Sequence, residues 1–446
     1  MEESPQDEKL EGKSSPAAFS ETENPSEVKK ILFKTDIRVL PILALLFLCS
    51  FLDRTNVGNA KIVGLESDTG ITDHQYDIGL TVFYLFYVCR GFGSFVAVRA
   101  LLGMAEGGLL PGMVLYLSSF YKRSDLALRI GLFYTAASLS GAFGGLLARG
   151  LIEIGPRGGL KGWRWIFIIE GLLTVVCGII AAIGLPNNLA TARFLTPIER
   201  EIALERIRQD RPQHNGSEWS EVIRGVTDIK MWLSASAYFA ILSGLYSFGL
   251  FLPTIIRDSG FTTNANTVQL WSVIPYAVAT VFTVLVAFLS DHFKLRGTLM
   301  LFTLPFAIIG YAVIANTSNA QVGYGMTFLM STGLYASVPC VLVWNSNNSA
   351  GHYKRATTSA MQLAIANCGG FVATFIYPAR DAPLYHRGHT VILGLLVAAW
   401  FLILFNVLYC RKVNKDKADG KYDNFQSDVS EELCLDILYW CLFIEA

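Results

Sequence analysis

Charged residues are scarce in this chain, and together they carry no net charge. Only 16% of the 446 residues are Asp, Glu, Lys or Arg, and 36 acidic residues balance 36 basic ones. A protein that binds nucleic acid, or an anionic membrane surface by charge alone, needs an excess of basic residues. The composition therefore indicates no nucleic-acid partner and no polybasic surface segment.

Motifs for metal binding and nucleophilic catalysis are also missing from the sequence. The six histidines are scattered, and the eight cysteines form no CxxC pair and no cluster with histidine. There is no HExxH sequence and no Gly-rich phosphate loop. We therefore expect no metal, no cofactor and no enzymatic activity. Six cysteines lie in or beside apolar segments, where they act as small packing residues: Cys49, Cys89, Cys177, Cys340, Cys368 and Cys410.

The N-terminal region lacks the apolar core of a secretory signal peptide. It is rich in Glu, Ser, Pro and Lys, so we predict a disordered cytosolic tail over residues 1–36. Residues 412–446 are predicted to form a second cytosolic tail, which ends in an unusual apolar run.

Long apolar segments fill the rest of the chain, since 52% of the residues are hydrophobic. Segments of about 20 apolar residues match the thickness of a bilayer, and backbone groups in lipid require helices. The sequence thus predicts an all-α polytopic membrane protein with about ten or eleven membrane segments. The predicted spans are 37–58, 95–121, 127–150, 164–185, 231–253, 267–289, 298–315, 320–344, 357–378 and 389–410, with a shorter apolar piece at 77–90.

The course of residues 76–121 has two interpretations. One is a half-crossing or re-entrant piece at 77–90 followed by a full span, and the other is a single long tilted helix. The distribution of basic residues favours cytosolic placement of both tails and of the longest internal connector, 186–230. That connector separates a first bundle, 37–185, from a second bundle, 231–411.

Ionisable residues inside apolar spans are costly, so they usually line a wet cavity or meet a charged ligand. Asp53 and Asn56 share one face of the first predicted span, and Arg54 lies about 100° around the helix from Asp53. This helix could offer a proton site and an anion site together. Alternatively, Asp53 and Arg54 mark the aqueous end of the span and extend towards the headgroups.

Glu106 lies near the middle of the next full span, with Arg99 two turns earlier on the same face. At this depth, exposure of Glu106 to lipid is improbable, so we expect it to face the interior of the bundle and to have a functional role. The alternative is a structural glutamate that bonds to a neighbouring helix without titrating.

The second bundle carries mostly uncharged polar groups within its spans. They suit hydrogen bonding to the neutral parts of a ligand, although each could instead form a bond between helices. They are Tyr246, Tyr276, Asn345, Asn347, Asn348, Gln362 and Asn367. A short charged turn at 290–297 contains Asp291, Lys294 and Arg296, and can join only antiparallel neighbours.

Three motifs in order resemble one transporter family. They are LDRTNVGNA at 52–60, RALLGMAEGG at 99–108 followed by LPG at 110–112, and WNSNNSAGHYKR at 344–355. The chain is similar there to the fungal allantoate and nicotinate permeases, in the anion:cation symporter family of the major facilitator superfamily. The resemblance implies twelve helices in two six-helix halves, alternating access and proton-driven uptake of an organic anion.

The resemblance also assigns roles to individual residues. Arg54 matches the anion-binding arginine, Asp53 its proton-linked neighbour, and Glu106 the fourth-helix acid that is protonated during transport. Arg99 matches the arginine paired with that acid, and Asn367 a polar residue near the substrate. The turn with Asp291, Lys294 and Arg296 resembles the conformational-switch loop.

One departure from the family pattern is large. The segment Cys89-Arg90-Gly91-Phe92 leads directly into the fourth helix, so that about one and a half helices are absent from the first bundle: the end of helix two and helix three. This loss motivates an alternative function, a truncated isoform that does not transport or a membrane ligand sensor.

The main prediction is a monomeric, multi-pass proton symporter of the plasma membrane. Its partners are the lipid bilayer, protons and a small carboxylate such as a vitamin or a ureide. The predicted substrate-binding residues are Arg54, Asn56, Tyr246 and Asn367. The predicted proton-coupling residues are Asp53, Glu106 and Arg99.

Overall fold

A computed structural model describes residues 25–62, 103, 106–153, 162–210, 218–262, 264–293, 295–349 and 352–419. Across these ranges the regular structure is α-helix with two short 3₁₀ turns, and the described residues contain no β-strand. The predicted all-α fold class is confirmed.

The helices fall into two halves joined by a connector. The first half contains α1 (Pro25–Ile62), α2 (Leu109–Ser118), α3 (Arg123–Glu153) and α4 (Gly162–Gly184). The connector contains α5 (Pro197–Asp210) and α6 (Glu218–Thr227). The second half contains α7 (Ile229–Asp258), α8 (Ala265–Phe293), α9 (Arg296–Ile314), α10 (Ala320–Asn347), α11 (His352–Asn367), α12 (Gly369–Phe375) and α13 (His386–Ala418).

Eight of the described helices are long and apolar enough to cross a membrane. They correspond to predicted spans, although several of them extend beyond the predicted limits, as His386–Ala418 does into the predicted tail 412–446. α1 begins at Pro25, inside the region predicted as a tail, and the predicted span 357–378 is divided into α11 and α12. The predicted piece at 77–90 lies outside the described residues, as do 95–102, 104 and 105 at the start of the predicted span 95–121.

The break between α11 and α12 has a local cause. A Cβ added at Gly369 would lie 2.6 Å from Ser243 Oγ and 2.7 Å from the carbonyl oxygen of Phe239, so the backbones of α7 and α12 touch at this point. Two successive glycines also weaken a helix. The division of this span therefore follows from close packing against α7.

Exposed apolar residues on the membrane-length helices mark the surface that faces lipid. α4 exposes Leu172, Val175, Ile179 and Ile183 along one side. α7, in contrast, is buried over most of its length. Since a soluble monomer rarely exposes such a stripe, α4 lies at the lipid boundary and α7 at the centre of the protein.

Helices α3 and α8 pack across the two halves through a small-residue face on α3. A Cβ on Gly141 would lie 2.6 Å from the Tyr276 ring, and one on Gly145 would lie 3.0 Å from the carbonyl oxygen of Gln269. Thr280 Oγ1 also donates to Ser138 Oγ at 2.9 Å. This contact joins the halves alongside the site described below.

The two connector helices attach to different halves. On α5, Glu199 pairs with Lys34 of α1 at 2.6 Å, and Arg206 pairs with Asp125 of α3 at 3.3 Å. α6 instead packs on α11 of the second half. Its Glu221 accepts a hydrogen bond from the backbone N–H of Tyr353, at the beginning of α11.

Candidate functional site

A cavity of about 400 Å³ lies between the two halves. The first half contributes α1, the segment around Glu106, the start of α2 and Tyr134 of α3. The second half contributes α7, α11, α12 and Tyr335 of α10. Its volume is within the range of small-molecule sites, about 300–1,000 Å³. The cavity is therefore large enough for a small molecule.

Arg54 is the cationic centre of this cavity. Its Nε lies 3.4 Å from Glu106 Oε2, and its Nη1 donates to the Tyr246 hydroxyl at 3.0 Å. The guanidinium carbon also lies 5.2 Å from the centre of the Phe51 ring, within cation–π range. The Arg54 and Glu106 side chains are only 18% and 10% exposed, so their charges compensate each other with little help from water.

A short chain of hydrogen bonds continues from Arg54 into the second half. The Tyr246 hydroxyl donates to Asn367 Oδ1 at 2.7 Å, and Asn367 Nδ2 donates to the Leu363 carbonyl at 2.8 Å. Thus four residues singled out in the sequence, Arg54, Glu106, Tyr246 and Asn367, line one cavity. Tyr246 and Asn367 bond to each other between helices, which was the alternative to a role in ligand binding. Both side chains also line the cavity.

Asp53 faces another part of the first half. Thr174 Oγ1 of α4 donates to Asp53 Oδ2 at 3.3 Å, and Asp53 is not among the residues that line the cavity. Adjacent helical residues point in different directions, which is why α1 presents Arg54 to the cavity and Asp53 to α4.

The other predicted site residues are only partly within the description. Arg99, Lys294 and the side chain of Asn56 lie outside it. In the turn before α9, Arg296 Nη2 lies 3.4 Å from Asp291 Oδ1, and the side-chain amide of Asn347 faces the same guanidinium. This turn is therefore braced against the end of α10.

The aromatic lining of the cavity is the main feature that sequence reasoning missed. Six aromatic side chains besides Tyr246 contribute to its wall, from five helices. They are Phe47, Phe51, Tyr134, Tyr238, Tyr335 and Phe371. Nothing in the local sequence distinguishes them from packing residues of apolar spans, since their convergence depends on the arrangement of the helices.

Among the described residues, the cavity combines one guanidinium, one carboxylate, one side-chain amide, several hydroxyls and a partly aromatic wall. A guanidinium recognises carboxylates by charge-assisted hydrogen bonds, and an aromatic wall accommodates planar or apolar groups. Within the described ranges there is no group of three or more His, Cys, Asp or Glu that could hold a metal ion. The described groups can therefore pair with a carboxylate and contact an aromatic or apolar group.

The sequence signature described as Major Facilitator Superfamily matches residues 78–374. The chain belongs to this superfamily. Among its relatives, an uncharacterized transporter of Schizosaccharomyces pombe is 34% identical and spans 91% of this chain and 88% of the relative. The high-affinity nicotinic acid transporter of Saccharomyces cerevisiae is 32% identical, over 87% of this chain and 79% of that protein. The predictions of a fungal permease-type family member and of a transporter rather than an enzyme are confirmed.

Solved structures agree with this assignment at the level of the fold. A bacterial homolog of the lysosomal transporter Spinster, in an inward-facing and occupied conformation, has a TM-score of 0.56 with 15% identity. The structural match covers 84% of this chain and 96% of the bacterial protein. A proton:xylose symporter has a TM-score of 0.55 with 13% identity, over 86% and 91% of the two chains. The superfamily assignment and the eight membrane-length helices together show that this chain is a multi-pass membrane protein.

The alignments with the relatives contain more positions than the matched part of this chain has residues. The alignment with the Schizosaccharomyces pombe relative spans 447 positions, whereas 91% of this 446-residue chain is about 406 residues. About 40 positions of the relative therefore have no counterpart here. The alignment with the nicotinic acid transporter gives a similar difference, since 428 positions use 87% of this chain.

Proposed function

We propose that this transporter takes up a small organic anion together with protons by alternating access. The observation that carries the proposal is the contact between Arg54 and Glu106 inside a cavity shared by the two halves. Arg54 is proposed to bind the carboxylate of the substrate, and Glu106 is proposed to carry the coupled proton.

Charge balance explains how one contact can couple the two solutes. In the empty site, the charges of Arg54 and Glu106 cancel. An anion alone leaves the cavity with a net negative charge, and a proton alone leaves it with a net positive charge. When both are bound, Glu106 is neutral and the carboxylate pairs with Arg54. Because unbalanced charge in a low-dielectric site is costly, the halves rearrange easily only when the site is empty or doubly loaded.

The cavity wall suggests what the carboxylate is attached to. Tyr246 and Asn367 can hydrogen-bond the neutral part of a substrate, and the aromatic side chains can contact a planar ring. The nicotinic acid transporter among the relatives supports a compact carboxylate of this kind. We therefore propose a small vitamin-like or ureide-like carboxylate as the substrate class.

Several further roles are proposed from the sequence. Asp53 and Arg99 are proposed to assist proton coupling, and Asn56 to contact the substrate. Asp291, Lys294 and Arg296 are proposed to form a conformational switch. We also propose a monomer in the plasma membrane with both tails in the cytosol, since most basic connectors then lie on the cytosolic side.

Uptake of radiolabelled nicotinate into proteoliposomes tests the proposal, with an inward proton gradient imposed by a pH jump. Uptake should rise with the gradient and collapse when a protonophore is added. Glu106→Gln, which mimics the protonated state, should remove the dependence on the gradient, whereas Glu205→Gln on the exposed side of α5 should not. A dependence that is unchanged in Glu106→Gln would exclude this role for Glu106. The same pH jump is then applied to a panel of small carboxylates. If another carboxylate is taken up in a gradient-dependent way, nicotinate is the wrong substrate; if none is, the mechanism is wrong.

A second function, a ligand sensor or a truncated isoform that does not transport, is favoured by the roughly 40 positions without a counterpart. This number is close to the predicted loss of one and a half helices from the first bundle. Ligand-induced thermal stabilisation together with localisation in cells distinguishes these cases. A sensor binds ligand and reaches its membrane without transport, while a defective isoform does neither.

A further inference from the structure

The connector helix α6 exposes an apolar face. Trp219, Ile223 and Val226 follow each other at helical spacing and are 74%, 59% and 39% exposed. Apolar residues at such positions form one stripe along a helix. A connector helix surrounded by water on this side should carry polar residues there, so the stripe needs an explanation.

The opposite face of α6 is fixed to the second half of the protein. The buried Glu221 accepts hydrogen bonds through Oε2 from the backbone N–H groups of Tyr353 at 3.0 Å and Lys354 at 3.4 Å. A Cβ on Gly225 would lie 3.2 Å from Thr357 Cβ. The carboxylate thus satisfies N–H groups at the beginning of α11, where negative charge is favourable. The polar contact holds α6 in place and directs its apolar face outwards.

The exposed stripe continues into the lipid-facing surface. Only Asp228 separates the end of α6 from Ile229, the first residue of α7, which spans the membrane. At the start of α7, Ile229 and Trp232 are 49% and 46% exposed. Trp232 Nε1 donates to the Val226 carbonyl at 2.8 Å, which joins the two surfaces directly. The stripe is therefore continuous with the exposed apolar surface at the start of α7.

We propose that α6 is an interfacial helix that inserts Trp219, Ile223 and Val226 into the phospholipid leaflet on the connector side. Tryptophan favours the headgroup region, and an amphipathic helix with an adjacent basic residue binds anionic lipid. The exposed Arg224 supplies that positive charge beside the stripe. This assignment depends on the position of α6 relative to the membrane and holds whether or not the protein transports an anion.

The anchor has a structural consequence for the cavity. α6 holds the beginning of α11 through Glu221, and the last residue of α11 is Asn367, which accepts a hydrogen bond from Tyr246 at the cavity wall. If α6 is bound to lipid, it therefore holds the beginning of α11 in place, while the end of α11 lines the cavity.

Quenching of tryptophan fluorescence by brominated phospholipids tests the proposal on the full chain. The protein is reconstituted into phosphatidylcholine and phosphatidylserine liposomes whose acyl chains are brominated near the headgroup. The difference in emission between the wild type and Trp219→Phe isolates Trp219. We expect brominated lipid to remove most of this contribution. The corresponding difference for Trp344→Phe is the control, and it should change little because Trp344 is buried within α10.

A second pair of variants separates lipid contact from general disruption. Ile223→Glu should reduce the quenching of Trp219 by brominated lipid, whereas Ile198→Glu, at an exposed apolar position on α5, should leave it unchanged. Quenching of Trp219 by aqueous acrylamide but not by brominated lipid overturns the proposal. Shielding from both quenchers also overturns it, since a protein surface or a second copy then covers the stripe.

Discussion

The two halves of this protein contribute different chemistry to the same cavity. The first half supplies charge, through Arg54 on α1 and Glu106 before α2. The second half supplies neutral groups, through Tyr246 on α7 and Asn367 on α11. Under the proposed function, the charged pair couples the anion to the proton, while the neutral hydrogen-bonding groups determine which molecule fits. We therefore expect substitutions of the charged residues in the first half to abolish coupled transport, and substitutions of the neutral residues in the second half to change substrate affinity and selectivity.

Replacement of the cationic residue should have the largest effect. Arg54→Ala removes the carboxylate ligand and leaves Glu106 without this counter-charge, so we expect nicotinate uptake to fall by at least about 100-fold. Initial rates of uptake in proteoliposomes measure this loss. Arg257→Ala, at the exposed end of α7, is the matched control and should retain near-normal uptake. Saturable uptake of normal affinity in Arg54→Ala would contradict the division between the halves.

The stability of the first half should depend on another arginine. Arg129 Nε and Nη2 each donate to a carboxylate oxygen of Asp36 at 2.9 Å, and the guanidinium lies 4.8 Å from the centre of the Tyr121 ring. Loss of this bidentate pair should lower the free energy of unfolding by about 2 to 3 kcal/mol in Arg129→Ala, because Asp36 then loses its partner. Thermal unfolding in detergent measures the change. The exposed Arg208→Ala serves as control, and equal melting temperatures for the two variants would refute a stabilising role.

A change in the second half should have a smaller effect on transport and leave coupling intact. Tyr246→Phe removes a hydroxyl that accepts from Arg54 and donates to Asn367, each bond contributing about 1 kcal/mol. We expect KM for nicotinate to rise by several-fold to about tenfold, with an unchanged dependence on the proton gradient. Uptake measured against substrate concentration at two external pH values checks both statements. A loss of pH dependence in Tyr246→Phe would mean that the second half also carries coupling.

The smallest effect is expected in the connector. Hydrogen bonds from Lys34 and from the backbone N–H of Thr196 lower the pKa of Glu199. A lowered folded-state pKa contributes stability above the unfolded pKa, about 4.3, and this contribution is lost as pH falls through the folded value. Because the pair is partly exposed, the contribution should stay below about 1 kcal/mol. Glu199→Gln should therefore be slightly less stable than the wild type at pH 7 and equally stable at strongly acid pH. An identical difference at both pH values would show that the lost contribution is not the charge.

The sequence predicted the spans well because membrane helices must be long, apolar and internally hydrogen-bonded. It missed the break after Asn367, since that break depends on contact between Gly369 and α7. The charged cavity residues were predictable because a charged side chain inside an apolar span is destabilising unless it pairs with another group or lines a wet cavity. The aromatic wall was not, because Tyr134 or Tyr335 has no local feature that separates a cavity residue from a core residue. Asp53 shows a similar limit, since its contact with Thr174 depends on which helix lies beside α1.

Proton uptake on substrate binding tests the central claim most directly. Purified protein in weakly buffered solution, at a pH where Glu106 is ionised in the empty site, is mixed with nicotinate while a pH indicator is recorded. The account predicts that binding draws a proton from solution in the wild type and none in Glu106→Gln, because the carboxylate replaces Glu106 as the partner of Arg54. Saturable binding without proton uptake in the wild type would contradict it.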